Sequence, residues 1–289
     1  MMRMAMFMAT NLGVMLVAGI VMSIFGIDQM VGGGMAASLI YCALFGFVGS
    51  FISLIMSKGM AKRSSQAQVI ENPQNETEQW LVDTTKRISE QAGIGMPEVA
   101  IFPSQEPNAF ATGWKRNDAL MAVSVGLLNT MNRDEVEGVI AHEIGHIATG
   151  DMITMALVQG VMNTFVVFFA RIIGRTVDQA LFRGNGYGIG YFITYMLAQV
   201  VLGFVANAIS MWFSRFREYR ADSSAAELAG REKMIAALEK LKGPSAQPSQ
   251  MPDTLVAFGI NGGMPAGIRA LFRSHPTLDD RINALRNAA

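Results

Sequence analysis

Cysteine is nearly absent: Cys42 is the single one in 289 residues. A disulfide framework within one chain is thereby excluded, as is a structural zinc site closed by cysteines, and the usage agrees with a reducing compartment. Cys42 lies inside an apolar run and reads as a small hydrophobe, not a reactive thiol. Charge is also scarce. Asp, Glu, Lys and Arg make up 16% of the chain, the two signs cancel at 23 each, and no basic tract stands apart from the apolar runs. That excludes a nucleic-acid partner. Histidine occurs three times, so chemistry that needs imidazole must use His142, His146 or His275.

What is plentiful is apolar surface: half the residues are hydrophobic and 22 are methionine. Four runs, 4–26, 33–56, 152–174 and 189–213, hold almost no charge. Each has about the length needed to cross ~30 Å of hydrocarbon. The first two are joined by a short link with Gly26, Asp28 and Gly32–Gly34, which predicts a tight hairpin. Arg3 before the first run also suits a signal peptide, but the run's length and the second span at once behind it favour an uncleaved anchor. Arg3, Lys58, Lys62 and Arg63 flank this hairpin on one side, and Arg215, Arg217 and Arg220 follow the last run. An even number of crossings puts them on one face, expected to be cytoplasmic. Arg171, Arg175 and Arg183 oppose that rule, so the second hairpin is expected to be tilted, partly sunk in protein or not fully spanning. Gln159, Asn163, Gln199 and Asn207 break the runs. Such residues join helices and do not form an ion path, which argues against a transporter.

The polar stretches 57–151 and 214–289 remain, enough together for one domain of ~170 residues. Residues 61–75, with Pro73, read as a linker. Asn75 and Glu78 open a helix with Trp80, Leu81, Thr84 and Ile88 on one face, ended by Gly93. Val99–Phe102 and Leu120–Val125 predict short strands, with Asn108, Ala109 and Phe110 in a loop between them. Residues 216–229 and 231–242 predict helices punctuated by Gly230 and Gly243, and 243–252 a Pro/Ser-rich loop. A last helix follows His275-Pro276, capped by Thr277. No internal repeat is found.

The richest segment is His142-Glu143-Ile144-Gly145-His146, an HExxH pattern. Asn132 with Glu135 three residues on has the spacing of a capping box. Val136, Val139, Ile140, Ile144 and Ile147 then recur at helical spacing, so 133–149 predicts one buried helix. Residues four apart share a face, and two imidazoles can therefore reach one metal ion. Glu143 stands where it can take a proton from a metal-bound water. The plainer alternative is a core helix with two hydrogen-bonded histidines, which two imidazoles around a glutamate rarely need. A catalytic zinc takes three protein ligands and keeps one open position. The best third candidate is Glu218 in Arg217-Glu218-Tyr219-Arg220-Ala221-Asp222, where Glu218 and Asp222 share a helical face. One carboxylate binds the metal while the other accepts the outer N–H of a ligand histidine. A solvated charged helix is the alternative, weakened because the topology returns this segment to the face that carries His142.

Together His142–His146, Glu218–Asp222, the flanking apolar hairpins and Asn108-Ala109-Phe110 resemble the HtpX family of membrane-bound zinc endopeptidases, over nearly the whole chain. The related CaaX prenyl endopeptidases share the zinc motifs but have more spans. The resemblance implies a mainly α integral membrane protein with four transmembrane helices and a gluzincin-like α+β peptidase domain with a small edge sheet. Its parts would be hairpins at 1–56 and 152–213 and a peptidase domain split into 57–151 and 214–289. It also implies the bacterial inner membrane, an active site on the cytoplasmic side, and quality control of damaged or misassembled membrane proteins under stress. Carried onto these residues, His142, His146 and Glu218 bind one Zn2+, Glu143 is the general base and Asp222 orients a ligand histidine, His142 being favoured. Substrate would add to a strand edge near Asn108–Phe110 or at 121–125. An ordinary turn and a core aromatic is the equal alternative for Asn108 and Phe110. His275 is a candidate oxyanion donor, with Arg281 and Tyr219 weaker ones. The rival functions are a CaaX-type endopeptidase acting on lipidated C-termini and a non-catalytic membrane scaffold with a structural zinc.

Overall fold

A computed structural model of the chain describes residues 35–184, 188–242 and 275–288. The first apolar run, at 4–26, and the predicted loop at 243–252 lie outside the described residues. Three described helices are long and apolar enough to cross a membrane: within α1 (Met35–Ser65), α5 (Asp151–Leu181) and the stretch that begins with α6 (Ile189–Ala225). The described residues fall into two compact units, 35–53 with 155–212, and 54–154 with 213–242 and 275–288.

Small residues govern the first unit. A Cβ at Gly46 of α1 would come within 2.5 Å of Gly160 O on α5, so glycine there lets the two helices touch. The Arg171 guanidinium stacks 4.5 Å from the Tyr41 ring centroid. Arg171 and Arg175 both lie within α5, not in the link that follows it. The buried Asp178 accepts from the backbone N–H groups of Gly188 and Tyr191 and so caps the start of α6.

The second unit is built on a four-stranded sheet of order β1-β2-β4-β3: β1 (Gln68–Val69), β2 (Glu98–Phe102), β3 (Ala109–Lys115) and β4 (Asp118–Ser124). β2 and β4 run parallel, and the other pairs are antiparallel. One face carries the main core, where Val99, Met121 and Val123 meet α2 (Glu76–Gln91), α4 (Arg133–Thr149), α7 (Arg231–Leu241) and α8 (Leu278–Asn287). The other face carries a smaller cluster of Ala100, Phe102, Leu120 and Ala122. A short α3 (Val125–Thr130) is capped by Ser124.

Four expectations are corrected. Residues 61–65 continue α1, because no helix breaker intervenes and Ser65 bonds back to Ala61 O; β1 then follows within the supposed linker. Ala109 and Phe110 open strand β3 instead of lying in a loop, since Phe110 has Phe102 to pack on, ring centroids 5.4 Å apart. The 121–125 segment offers no edge: β4 is paired on both sides. The helix expected to start at 216 is a continuation of α6, which runs unbroken to Ala225 and then through a π-helical segment, Ala226–Gly230.

Candidate metal centre

Helix α4 is set by its ends. Asn132 Oδ1 accepts from Glu135 N at 3.0 Å and Glu135 Oε2 from Asn132 N at 2.8 Å, the reciprocal capping box. Gly150, at φ 70°, stops the helix in a left-handed conformation that a β-carbon would strain. Between these ends, Gly145 governs how near α6 can come. A Cβ there would lie 3.1 Å from Ser224 Cβ and 3.3 Å from Ala221 O. The bare glycine therefore lets α6 lie close enough for Glu218 and Asp222 to reach the two histidines.

His142, His146 and Glu218 offer donor atoms that all lie within 4.8 Å of one another, a group able to hold a metal ion. The two Nε2 atoms are 3.2 Å apart, and each is 3.5 Å from a Glu218 oxygen. The outer nitrogens are held from behind. His142 Nδ1 is 2.9 Å from Asp222 Oδ1, and His146 Nδ1 is 2.7 Å from Asp151 Oδ2. A neutral imidazole that donates Nδ1–H to a carboxylate turns its Nε2 lone pair inward. Two such lone pairs at 3.2 Å, facing a buried anion, demand a positive charge among them. Glu218 is 2% exposed and brings its carboxylate oxygens to both nitrogens, which adds to that demand. The donor set thus fits a metal ion with nitrogen and oxygen preferences.

The ionisation of the centre follows its charges. Burial alone would lower both imidazoles, but Asp222 and Glu218 outweigh it and raise His142. Burial likewise opposes the charged form of His146, yet Asp151 and Glu218 push it up to about 9. Glu218 is held far below the usual carboxylate range: its desolvation is overcome by His142, His146 and His275. Asp222 is lowered too, against burial, by Arg281 first and His142 second. Glu143 is half-buried, and its charge acts on both His146 and Arg281.

Asp222 meets His142, the histidine favoured for it. Arg281 takes a different place from the one considered for it. Its Nε and Nη2 clamp Asp222 at 2.8 and 2.6 Å, while Nη1 stands 3.6 Å from Glu218, so the guanidinium braces the carboxylates. Tyr219 is partly exposed and feels the charges of Asp280, Asp222 and Arg281. His275 comes to the centre, with Nδ1 2.7 Å from Glu218 Oε2. Asn108 and Phe110 stand apart from the histidines. The backbone of Asn108 is tied to Ser124, and Phe110 packs in the smaller cluster on the sheet face opposite α4. It is Ala109 and Ala111 of β3 that face the core shared with α4.

Sequence reasoning missed Asp151. It is 1% exposed at the first position of α5, bound to His146 and ion-paired with Arg220, with Arg217 4.0 Å away. The one available signal was a carboxylate at the head of an apolar run, just after a helix-ending glycine.

A buried helix bearing two imidazoles and an intervening glutamate, met by a carboxylate from a second helix, belongs to the metal-dependent peptidases. The family model described as "Peptidase family M48" matches residues 75–289. The chain belongs to that family and, within it, to the HtpX group of membrane-bound metalloproteases. It is 55% identical over 287 residues to "Protease HtpX" of Ectopseudomonas mendocina (strain ymp), covering 99% of each chain. It is 56% identical over 296 residues to the Pseudomonas fluorescens (strain SBW25) protein of the same name, again with 99% of each covered. Among solved structures, Ste24p of S. mikatae superposes with a TM-score of 0.65 at 19% identity. The match takes in 97% of this chain and 66% of that one, and what it shows is the shared fold. These relatives favour the HtpX reading over a CaaX-type enzyme or a scaffold.

Proposed function

We propose that this protein is a zinc endopeptidase of the bacterial inner membrane, with its active site on the cytoplasmic side, that cleaves unfolded or misassembled membrane proteins. The observation that carries the metal chemistry is the inward-facing pair of Nε2 atoms, 3.2 Å apart against a buried Glu218, with each outer nitrogen held by a carboxylate. His142, His146 and Glu218 would hold the ion, and the His₂Glu set suits zinc. Bound there, zinc supplies Lewis acidity, acidifying a coordinated water and polarising a peptide carbonyl.

The chain's own residues do the rest. Glu143 takes the proton of the attacking water and passes it to the departing amine. Asp222 and Asp151 fix the tautomer and orientation of His142 and His146. Arg281 keeps Asp222 in place. His275 is positioned to donate to a developing oxyanion once it is released from Glu218. The substrate main chain adds to the edge of β3 that no described strand pairs with, the sheet edge that packs on α4, and Asn108 and Phe110 contribute to that edge as main chain. The peptidase domain comprises 57–151 and 214–289, and the hairpins at 1–56 and 152–213 hold it at the bilayer.

The test is Glu143→Gln beside the native protein, with metal content measured for both and an unfolded membrane-protein loop as substrate. The variant should bind metal equally and lose at least ~10²-fold in turnover. Equal cleavage by both would remove Glu143 from the mechanism.

A further inference from the structure

The second unit exposes few large apolar side chains among its described residues. Ile55, Met56, Met60, Ile153, Phe216 and Tyr219 are all on α1, α5 or α6, the helices that carry candidate spans. Two are elsewhere: Met96, 41% exposed, and Trp114, 37% exposed. Gly95 N donates to Asn117 Oδ1 at 2.8 Å and so ties the 95–96 loop to the β3–β4 turn that follows Trp114. Lys115 and Arg116 occupy the same turn and are exposed, with Lys115 Nζ 3.9 Å over the Trp114 ring. The carboxylates nearby, Glu98 and Asp118, are already taken by Lys58 and Lys62. Among the described residues neither Lys115 nor Arg116 forms an ion pair, so both can meet an external anion.

Two contacts say where this turn lies. Lys58, on α1, is bonded to Asp118 at one side of it. The Arg116 guanidinium lies against Gly150 on another, 3.6 Å from where a β-carbon would sit, one residue before α5 opens. The turn thus contacts the last two turns of α1 and the residue that precedes α5, two helices apolar enough to span.

We propose that Met96, Trp114, Lys115 and Arg116 form a docking patch for an anionic bilayer surface. Trp114 and Met96 enter the interface between headgroups and acyl chains, where amphipathic and flexible apolar side chains gather. Lys115 and Arg116 pair with lipid phosphates, their stems lying along the apolar boundary. Docking would lay the turn end of β3 on the membrane, so that a segment leaving the bilayer meets the strand edge directly. The occupant is lipid and not a soluble protein, because the patch combines two cations free of ion pairs among the described residues with interfacial side chains, beside α1 and the residue that precedes α5.

The experiment uses the full chain in nanodiscs, in a Cys42→Ser background, with a nitroxide at Met96→Cys and a reference label at Glu90→Cys on exposed α2. Collision with oxygen and with a water-soluble nickel chelate reports depth. The label at 96 should be shielded from the chelate and the label at 90 should not, with stronger shielding when phosphatidylglycerol is added to phosphatidylcholine. Each cation beside an anionic surface contributes roughly fivefold to the docked ratio. Lys115→Glu with Arg116→Glu should therefore lower it by at least about 25-fold, as added salt also should. Metal content checks that this variant is folded. Equal chelate access at 96 and 90 in both lipids overturns the proposal. So does shielding at 96 that arises only when unfolded protein is added, which would make the patch a substrate surface.

Discussion

Asp151→Asn separates the support of a metal ligand from the support of the fold. Asp151 is 1% exposed and accepts from His146 Nδ1 at 2.7 Å. Asparagine retains an oxygen that can accept that N–H but removes the charge that makes the bond strong. Loss of such a supporting partner lowers metal affinity by about 10–100-fold, or ~1.4–2.7 kcal/mol. Of the other cations at Asp151, Arg220 has a side chain 54% exposed, and Arg217, 4.0 Å away, keeps its hydrogen bond to Ser214 Oγ, so losing the charge costs the fold less than losing the ligand support. Arg220→Gln should accordingly change metal affinity less than about fivefold. Asp222→Asn forms the contrast. It disturbs His142 in the same way, but it also takes from Arg281, whose side chain is 7% exposed, its clamped anion and leaves Glu218 at 3.6 Å. Losing a partner charge at that depth costs up to about 3 kcal/mol of fold stability. Competition against a chromophoric chelator measures affinity, and thermal unfolding of the metal-free proteins measures the fold. If Asp151→Asn binds metal within twofold of the native protein, Asp151 does not hold His146 and the reasoning fails. If Asp222→Asn leaves the melting temperature unchanged, the Arg281 brace is refuted.

The remaining predictions use the same assays. His146 is raised to about 9, so in the metal-free protein its proton-linked stabilisation is complete below the ordinary 6.5 and lost as pH passes about 9. Metal must displace that proton, so apparent affinity should climb with pH across this window and then level; a flat profile would contradict it. Gly145→Val puts methyl groups where Ser224 and Ala221 already lie within 3.1–3.3 Å of a β-carbon. It should cost ~1–3 kcal/mol in thermal unfolding and weaken metal binding as Glu218 is pushed away. Asn132→Ala removes the capping box of α4 and should cost about 1 kcal/mol with no change in metal affinity.

Much of the centre was legible because local signals and long-range needs agreed. The Asn132–Glu135 pair, the apolar spacing through Ile147 and Gly150 mark α4 as it stands, Arg133–Thr149. Asn75 and Thr277 likewise cap the helices they were expected to open. Carboxylates four apart on a helix implied that one would back a ligand histidine, the resemblance favoured His142, and Asp222 meets it. What escaped was set by tertiary contact. Strand β3 is irregular at Gly113 and draws its support from Phe102 and β4, so its own residues carried only a weak strand pattern. Asp151 stood at the head of an apolar run, where a carboxylate reads as the edge of a span until His146 is seen beside it. Arg281 was visible as a cation in the last helix, but its clamp on Asp222 joins residues 59 apart, a pairing that no periodicity encodes.

The spacing of these pieces along the chain also orders the birth of the enzyme. Arg281 lies 139 residues after His142, an interval that takes about 7 to 28 s to synthesise at ordinary elongation rates. Throughout that time the two imidazoles exist without Glu218 at first, and later with an Asp222 that nothing clamps. The brace on Asp222 closes only when α8 arrives, so the centre is finished by some of the last residues to be made.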